Sequence, residues 1–430
     1  MTTSAFPSQL ANFQEVTQGL GPASGAAWVT AAGTIALGAR LRHIAESLAI
    51  DGVQQAVVED ERSQTTIFGK SIKVKGLRNV TFPFSIYWTG SGATTAATSQ
   101  IAATAQSLLL QHALGGTHRS NSTLLTGGGH TTTIINVTSA TNLTPGCLIM
   151  VEDATDNTIA VRRILSIATL AVTLDEVLPF TPVDGDTVRG MLTSYVVEST
   201  LSDSSVGPTT MSWLVQKGLA AALENWEFNG CKSELKSIDL ARGGLPVLKF
   251  ETQAASFDPP QTAPSPTWAG ATIHGNAPVA IGPDSIWTYQ TYGTTTINAI
   301  HVTESSIDVG VPVVRVETNT EVEADMEGTQ CYTTQPADTM IALGVVPMAS
   351  APWTDFAADT YKRLRFYKRA GNGQIICVHF SRCEIVEQPK RTVAGAASSI
   401  GLSLRAHPDL DNASAANADL WTSKILIGIG

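Results

Sequence analysis

The sequence is short of charge and of long apolar runs. Only 15% of its 430 residues are charged, against about 25% in an average soluble protein. No stretch of 18 apolar residues occurs, so no membrane span is expected. The N-terminus has neither a basic region nor a long apolar core, so no signal peptide is expected.

Cysteine is also scarce, and its spacing excludes two common kinds of small stabilising site. The five cysteines are odd in number and show no C-x-x-C spacing. A zinc site or a disulfide framework is therefore not expected, and synthesis in a reducing compartment is. The residues concerned are Cys147, Cys231, Cys331, Cys377 and Cys383.

The charges that are present are mainly acidic and dispersed. The net charge is -10, and no more than two Lys or Arg residues are consecutive. Conventional binding to nucleic acid phosphates is therefore disfavoured, because that binding needs clustered cations. Thr, Ser, Ala and Gly are abundant instead, and β-branched residues recur in short runs, which favours sheets largely covered by neighbours.

Motifs for catalysis fail on inspection. The triplet at residues 69–71, Gly-Lys-Ser, ends like a phosphate loop, but Gln64 stands where that loop needs its first glycine. No G-x-S-x-G elbow occurs. The acidic pair Glu59 and Glu61 suits acid–base chemistry, yet exposed acids on a strand explain it more simply.

One histidine pair suggests a metal. His118 and His130 flank a loop with three glycines at 127–129, but a loop rich in Gly and Thr accounts for the same pattern. With this candidate set aside, the sequence predicts neither an enzyme nor a cofactor or metal site.

A long-range repeat is the most informative feature that the sequence does contain. Phe228 and Cys231 recur as Phe380 and Cys383, at a constant offset of 152 residues. Seventeen residues after each cysteine an alternating strand begins, in the same phase, which predicts that both copies bury the same face. The alternative is chance agreement between two hairpins. A repeated β-domain favours a building block over an enzyme. The alternating positions are Leu248, Phe250, Thr252 and Ala254, then Ile400, Leu402, Leu404 and Ala406.

The chain is expected to be mainly β and to divide at the repeat. We predict two modules of one topology and, inside the first, a small β-barrel or sandwich that is a dispensable surface domain. A proline-rich linker separates the modules, because four prolines in ten residues cannot continue a sheet ladder. The predicted segments are an N-terminal arm at 1–45, module 1 at 46–258, the insertion at 121–190, the linker at 259–267 and module 2 at 268–430.

Two segments have the pattern of helices flanking these sheets. Residues 98–114 begin with Thr and Ser and stop at two glycines, which predicts a one-sided helix. Residues 337–346 predict a shorter apolar helix in the second half. The buried face of the first helix is predicted to contain Ile101, Ala105, Leu108, Leu109 and His112.

An acidic run at 317–327 has its charges on one parity, so a strand there would present one entirely acidic face. A solvated edge that resists aggregation is one interpretation. The other is a surface that a polyanion must pass without sticking, because like charges repel it. The residues of that face include Glu321, Glu323, Asp325 and Glu327.

The sequence resembles the tail tube proteins of long-tailed bacteriophages. The resemblance rests on Glu-Ser-Leu-Ala-Ile-Asp at 46–51, on residues 74–80, and on the helix that ends at Leu114-Gly115. It rests above all on residues 228–240, Phe-Asn-Gly-Cys-Lys-Ser-Glu-Leu-Lys-Ser-Ile-Asp-Leu, and on the returning strand at 243–250. The second copy departs from this pattern, with Phe-Ser-Arg from Phe380 in place of Phe-Asn-Gly.

The resemblance implies tandem β-sandwich or barrel modules, each with a flanking helix. It implies a major tail tube subunit whose two-domain chains form homotrimeric, pseudo-hexameric rings that stack into a DNA-conducting tube. The expected partners are further copies of itself, the tape measure protein, the tail terminator and the distal tail protein, with DNA in transit and no membrane. The expected location is the virion tail, assembled in the host cytoplasm. The four acidic residues above are then candidates to face the lumen.

Two other functions fit the sequence less well. A tail terminator or capsid decoration protein would share the β-rich composition but would not stack into long tubes. A carbohydrate-binding β-protein would need an aromatic platform, for which Trp213, Trp226 and Trp268 are candidates, although Trp226 lies in the repeated hairpin and is expected to be core or interface.

Overall fold

The structure, a computed structural model, is mainly β. Within the residues it describes, no helix is long and apolar enough to cross a membrane. The described residues are 8–14, 39–41, 43–44, 47–50, 57–59, 73–75, 80–91, 104–197, 211–219, 222–262, 272–273, 278–282, 284–317, 329–334, 337–346, 351–369, 374–394, 397–412 and 418–430.

The first part of the chain forms a closed ring of strand pairings, which we call the first barrel. Its order is β1, β2, β5, β16, β15 and β14, and β14 pairs again with β1. The link from β2 to β5 is a bridge between His43 and Ile86. The elements of this part are β1 Ser8–Gln14, β2 Ala39–Leu41, β3 Val57–Glu59, β4 Lys73–Lys75, β5 Val80–Tyr87, α1 Ala105–Leu114, β6 Gly115–Arg119, β13 Leu192–Val196, β14 Met211–Leu219, β15 Ala222–Asp239, β16 Val247–Ala254 and β17 Ser256–Thr262.

Between β6 and β13 the chain forms a six-stranded sheet of its own, which we call the inserted barrel. Its order is β7, β12, β9, β10, β11 and β8, and a bridge between Leu125 and Val137 joins its two ends. Since β6 and β13 pair with each other in the main sheet, the insertion leaves and returns through adjacent strands. Its strands are β7 Thr123–Leu124, β8 Ile134–Asn136, β9 Leu148–Glu152, β10 Ile159–Ala168, β11 Ala171–Leu174 and β12 Thr187–Gly190.

The last part of the chain forms the second barrel. Strands β19, β20 with β21, β24, β28, β26 and β25 pair in that order, and β25 pairs again with β19. Its elements are β18 Thr272–Ile273, β19 Ile286–Thr291, β20 Ala299–Ile300, β21 Val302–Asp308, β22 Val313–Glu317, β23 Thr329–Thr334, β24 Thr339–Val345, α2 Ala351–Ala357, β25 Lys362–Arg369, β26 Ile375–Ile385, β27 Lys390–Ala394, β28 Ala397–His407, a 3-10 turn Leu410–Asn412, α3 Ala418–Thr422 and β29 Leu426–Ile429.

The two barrels share strand register as well as strand order. Lys232 pairs with Gln253 in the first barrel, and Glu384 pairs with Arg405 in the second, each 152 residues later. Their irregularities also occur at equivalent positions. The pairing of β14 with β15 and the pairing of β25 with β26 each shift register beside the repeated cysteine. The corresponding pairs are Met211 with Cys231 and Trp213 with Phe228, then Lys362 with Cys383 and Leu364 with Phe380.

The first barrel is filled by aromatic side chains and the second mainly by aliphatic ones. Phe84 lies 5.2 Å from Trp213 and 5.4 Å from Phe250 between ring centroids. At the position of Phe250 the second barrel has Leu402, which is also buried. Equal strand register with different core side chains shows that the alternation of apolar residues, and not their identity, specifies the shared sheet.

Helix α1 confirms the later part of the predicted helix and two of its predicted buried residues, Leu109 and His112, whereas Ile101 lies outside the described residues. Its N-cap is Thr104, whose hydroxyl accepts the N–H of Ser107, while the hydroxyl of Ser107 accepts the backbone N–H of Thr104. The predicted Leu108 is 37% exposed. The buried stripe follows the i, i+3, i+4 and i+7 spacing from Gln106 and contains Leu109, Leu110 and Ala113.

The predicted helix at 337–346 is wrong, because that segment contains strand β24. Ile341, Leu343 and Val345 are buried at alternating positions, and β24 pairs on both sides, with β21 and β28. Short apolar runs have no decisive period, so the two neighbouring strands determined the outcome. Helix α2 of this half follows β24 as α1 follows β5.

Segments predicted as an N-terminal arm and as a proline-rich linker outside the sheet ladders also pair in the sheets. Strands β1 and β2 lie in the stretch predicted as an arm, yet they close the first barrel. Strand β17 contains Pro259 and Pro260 of the predicted linker and pairs with β15. The pairing shifts register between Asn225 and Glu227, opposite the prolines, where no N–H is needed for the ladder.

Candidate assembly interface

The two barrels meet through strand pairing and form one continuous sheet. Strand β15 is 18 residues long. Its first part pairs with β14, and its last three residues pair on the same side with β21 of the second barrel. Ile238 and Ile307 are opposite each other at this junction and are fully buried. The three pairs are Ser237 with Asp308, Ile238 with Ile307, and Asp239 with Ser306.

A second contact holds the hairpin of β22 and β23 to the first barrel. The Glu234 carboxylate accepts the backbone N–H of Val313 at 3.1 Å, and the Gln253 amide donates to the Val313 carbonyl at 2.8 Å. Lys236 lies 3.0 Å from Glu234 and balances its charge. Both polar groups of one backbone residue are thus held by side chains of the neighbouring barrel, which orients the hairpin.

The solvent side of the joined sheet is a groove with small side chains. A cavity of about 710 Å³ opens on this face at the junction. Its charges are largely paired, as in the 2.6 Å contact between Lys249 and Asp239. Lys390, which also lines the groove, lies 3.4 Å from Glu387. The small side chains that line the groove include Ser306, Ala342, Gly344, Gly401 and Ser403.

Buried ions fasten the inserted barrel to the second barrel. Arg365 of β25 donates to Glu176 at 2.6 Å and also to Asp175, and neither acid is exposed to solvent. Arg163 of β10 reaches Asp409 at 3.2 Å, again in the interior. Burial raises the pKa of Glu176, whereas for Asp175 the opposing effect of burial is outweighed by Arg365 and Arg363, and its pKa is lowered.

This interface is apolar around its ions. Tyr367, Ile375, Cys377 and Leu426 of the second half share one buried cluster with the interior of the inserted barrel. His379 lies beside the cluster of arginines, and burial, assisted by Arg365, keeps its pKa well below the ordinary value. The insertion is therefore a packed part of the molecule, which argues against the expectation that it is a dispensable surface domain.

The four acidic residues predicted to face a lumen lie outside the described residues. They are Glu321, Glu323, Asp325 and Glu327, between β22 and β23. The triplet at 69–71 and Glu61 also lie outside, and Glu59 is described only as backbone of β3. These candidates remain predictions.

The two histidines considered for a metal have separate partners. The His118 ring lies 2.9 Å from the carbonyl of Asn142. The His130 ring lies 2.8 Å from Asp184 and accepts the N–H of Asn136 on its other nitrogen. Across the described ranges, no group of three or more His, Cys, Asp or Glu side chains is arranged to hold a metal ion.

The tryptophans proposed as an aromatic platform are used in packing. Trp213 is fully buried in the first barrel. Trp226 is half-buried and stacks on Phe228 and Phe257, with centroids 6.4 and 6.2 Å away. Trp268 lies outside the described residues.

Sequence reasoning missed the buried arginines. The signal was present in β25, which has cations on both faces of the strand, in the sequence Lys-Arg-Leu-Arg-Phe-Tyr-Lys-Arg. A strand needs one apolar face to pack. A strand of that kind is stable only if acids of another segment neutralise it, and Asp175 with Glu176 supply them.

No protein-family model matches the chain, and no curated protein matches it.

Proposed function

We propose that the protein is a structural virion protein, the major tail tube subunit of a long-tailed bacteriophage. The observation that carries this proposal is the junction of β15 with β21, which joins two barrels of equal register into one sheet. A chain that already repeats one unit edge to edge is suited to repeat it further between copies.

Three copies would place six barrels in a ring, and stacked rings would form the tube. The grooved face of the joined sheet is the wall that such a ring would turn toward its bore. Its small side chains and paired charges, together with the net charge of -10, suit a channel for DNA, which carries one negative charge per ~1.7 Å of axis. Glu321, Glu323, Asp325 and Glu327 remain candidates to face the same bore.

The proposed role needs no catalysis and no cofactor. Its partners are further copies of the chain, the tape measure protein, the tail terminator and the distal tail protein, with DNA in transit. The virion tail is the proposed location, after assembly in the host cytoplasm. The packing of Trp213 and Trp226 gives no support to a carbohydrate-binding platform.

Negative-stain electron microscopy of the purified protein tests this proposal. We expect rings of uniform diameter that stack into tubes as concentration rises, with light scattering to follow the growth. Rings that never stack would favour a tail terminator or capsid decoration protein. A monomer at every concentration would contradict the proposal.

A further inference from the structure

His379 of β26 is fully buried beside the contact between the inserted barrel and the second barrel. Hydrogen bonds lead from its ring to Ser381, and from Ser381 to Arg163 of the inserted barrel. We propose that His379 makes this interface sensitive to acid, so that the inserted barrel separates from the second barrel more readily as the pH falls below neutrality. This acid response goes beyond the proposed function and does not depend on it.

The partners of His379 require a neutral ring. Arg365 donates its Nε–H to His379 Nδ1 at 3.2 Å. A guanidinium group has only donors, so Nδ1 is the acceptor and has no proton. The single ring proton then lies on Nε2, which is 3.3 Å from the Ser381 hydroxyl. The closed interface therefore fixes both the charge and the tautomer of the ring.

A second proton on the ring is incompatible with the closed interface. Protonated Nδ1 would oppose the Nε–H of Arg365, so this hydrogen bond would be lost. The imidazolium would also add a cation beside three arginines, Arg365, Arg163 and Arg363. Burial, together with these cations, keeps the pKa of His379 well below its ordinary value.

The acids of the interface already neutralise arginines. Asp175 and Glu176 both accept from Arg365. Asp409 lies 3.2 Å from Arg163. Strand β29, which also pairs with β26 at His379, contributes only apolar residues and glycine. The charged and titratable groups around the ring are Arg363, Arg365 and Tyr367 of β25, Cys377 of β26, Cys147, Arg162 and Arg163 of the inserted barrel, Asp175 and Glu176 after β11, and Asp409.

Separation of the barrels would hydrate His379 and return its pKa to about 6.5. Below that pH the open state binds a proton that the closed state does not, so opening becomes about tenfold more favourable for each further pH unit. Asp175, whose pKa is lowered, acts in the same sense, but only below about pH 4. Glu176 acts in the opposite sense, because burial raises its pKa and it keeps a proton more readily in the closed state. The effect of His379 is therefore measured against a variant that lacks the imidazole.

The N–H of Val177 reports opening directly, because it donates to the carbonyl of Thr295 at 3.2 Å across the interface. Hydrogen–deuterium exchange of the peptide that contains this N–H is measured by mass spectrometry at about pH 7.5 and 5.5. The rates are corrected for the pH dependence of intrinsic exchange. A peptide from β16 of the first barrel is the internal reference.

The variant H379Q removes the titration and keeps the hydrogen bonds, since its amide oxygen can accept from Arg365 and its amide N–H can donate to Ser381. The matched control is H301Q, at an exposed histidine of the second barrel. Acid should speed the corrected exchange at Val177 about tenfold more in the unmodified chain and in H301Q than in H379Q, because opening takes up one proton at His379. An equal response in H379Q and the unmodified chain would overturn the inference.

A disulfide across the same contact tests the inference with His379 in place, and so does not depend on the folding of H379Q. The variant V177C/T295C joins the two segments that the backbone hydrogen bond already brings together. Its oxidised form should lose the acid response at residue 177, and reduction should restore it. An acid response that persists in the oxidised form would show that it does not arise from separation of the two barrels.

Discussion

Arg365 and Glu176 form an ion pair of 2.6 Å in which neither side chain is exposed, although 189 residues separate them. One residue belongs to the second barrel and the other to the segment that follows β11 in the inserted barrel. Because an unpaired buried ion is far more costly than a buried pair, each residue depends on the other. The inserted barrel is thereby held against the second barrel by charge as well as by apolar packing.

Breaking this pair should destabilise the molecule strongly. We expect E176Q to lower the unfolding free energy by about 1–3 kcal/mol, because Arg365 keeps Asp175 but loses one buried charged hydrogen bond. Thermal unfolding followed by circular dichroism measures the effect. The control is E387Q, since Glu387 forms an exposed pair with Lys390, which should contribute about 0–1 kcal/mol. Equal melting temperatures for the two variants would show that the buried pair is not needed for stability.

Removing the inserted barrel should disrupt the second barrel. Replacing residues 121–190 with a short Gly/Ser linker would expose Tyr367, Ile375 and Cys377 and would leave Arg365 without its acids. We expect insoluble protein or a large fall in the melting temperature. A soluble product that melts like the full chain would restore the expectation of a dispensable domain.

Lys232 should make stability depend on pH. Its ammonium group is buried beneath α1 and donates to the His112 carbonyl, and burial lowers its pKa from 10.5 to about 7. Between these values the unfolded chain binds a proton that the folded chain does not, so this residue makes stability rise with pH across that window and opposes folding most fully below pH 7. K232M should remove this contribution, so that the melting temperature changes less between pH 7 and 10.

Exposed Lys249 provides the matched control for that measurement. Its side chain is 50% exposed and contacts Asp239, so K249M should retain the pH dependence of the unmodified chain. An unchanged profile in K232M would show that Lys232 does not titrate in this range.

Gly190 should not tolerate a side chain. A Cβ there would lie 2.1 Å from the backbone oxygen of Ser120, in the neck where β12 leads into β13. We expect G190A to lower the melting temperature by several degrees, because neither β12 nor the backbone at Ser120 can move without loosening the inserted barrel. Gly282 is the control, since its Cβ would meet only the end of Lys368 at 4.0 Å. Limited proteolysis should reveal early cleavage around the neck in G190A and not in G282A.

The local pattern of the sequence was sufficient for the repeated strands and for α1. The alternation from Leu248 and from Ile400 predicted strands of equal phase, and both are observed with equal register. Alternation is readable without a structure because side-chain direction on a strand has period two. The glycines at 115 and 116 predicted the end of α1 in the same local way, whereas its start was predicted at residue 98 and its N-cap is Thr104.

Tertiary pairing decided what local pattern left open. Residues 339–345 became a strand because β21 and β28 lie on both sides, and β1 joined the first barrel because β14 offered an edge. The pairing of Arg365 with Glu176, like that of β15 with β21, joins residues far apart in the chain. Composition and periodicity depend only on residues that are close together in the sequence. Whether a charge is buried, or a strand edge is paired, depends on which distant segment packs against it.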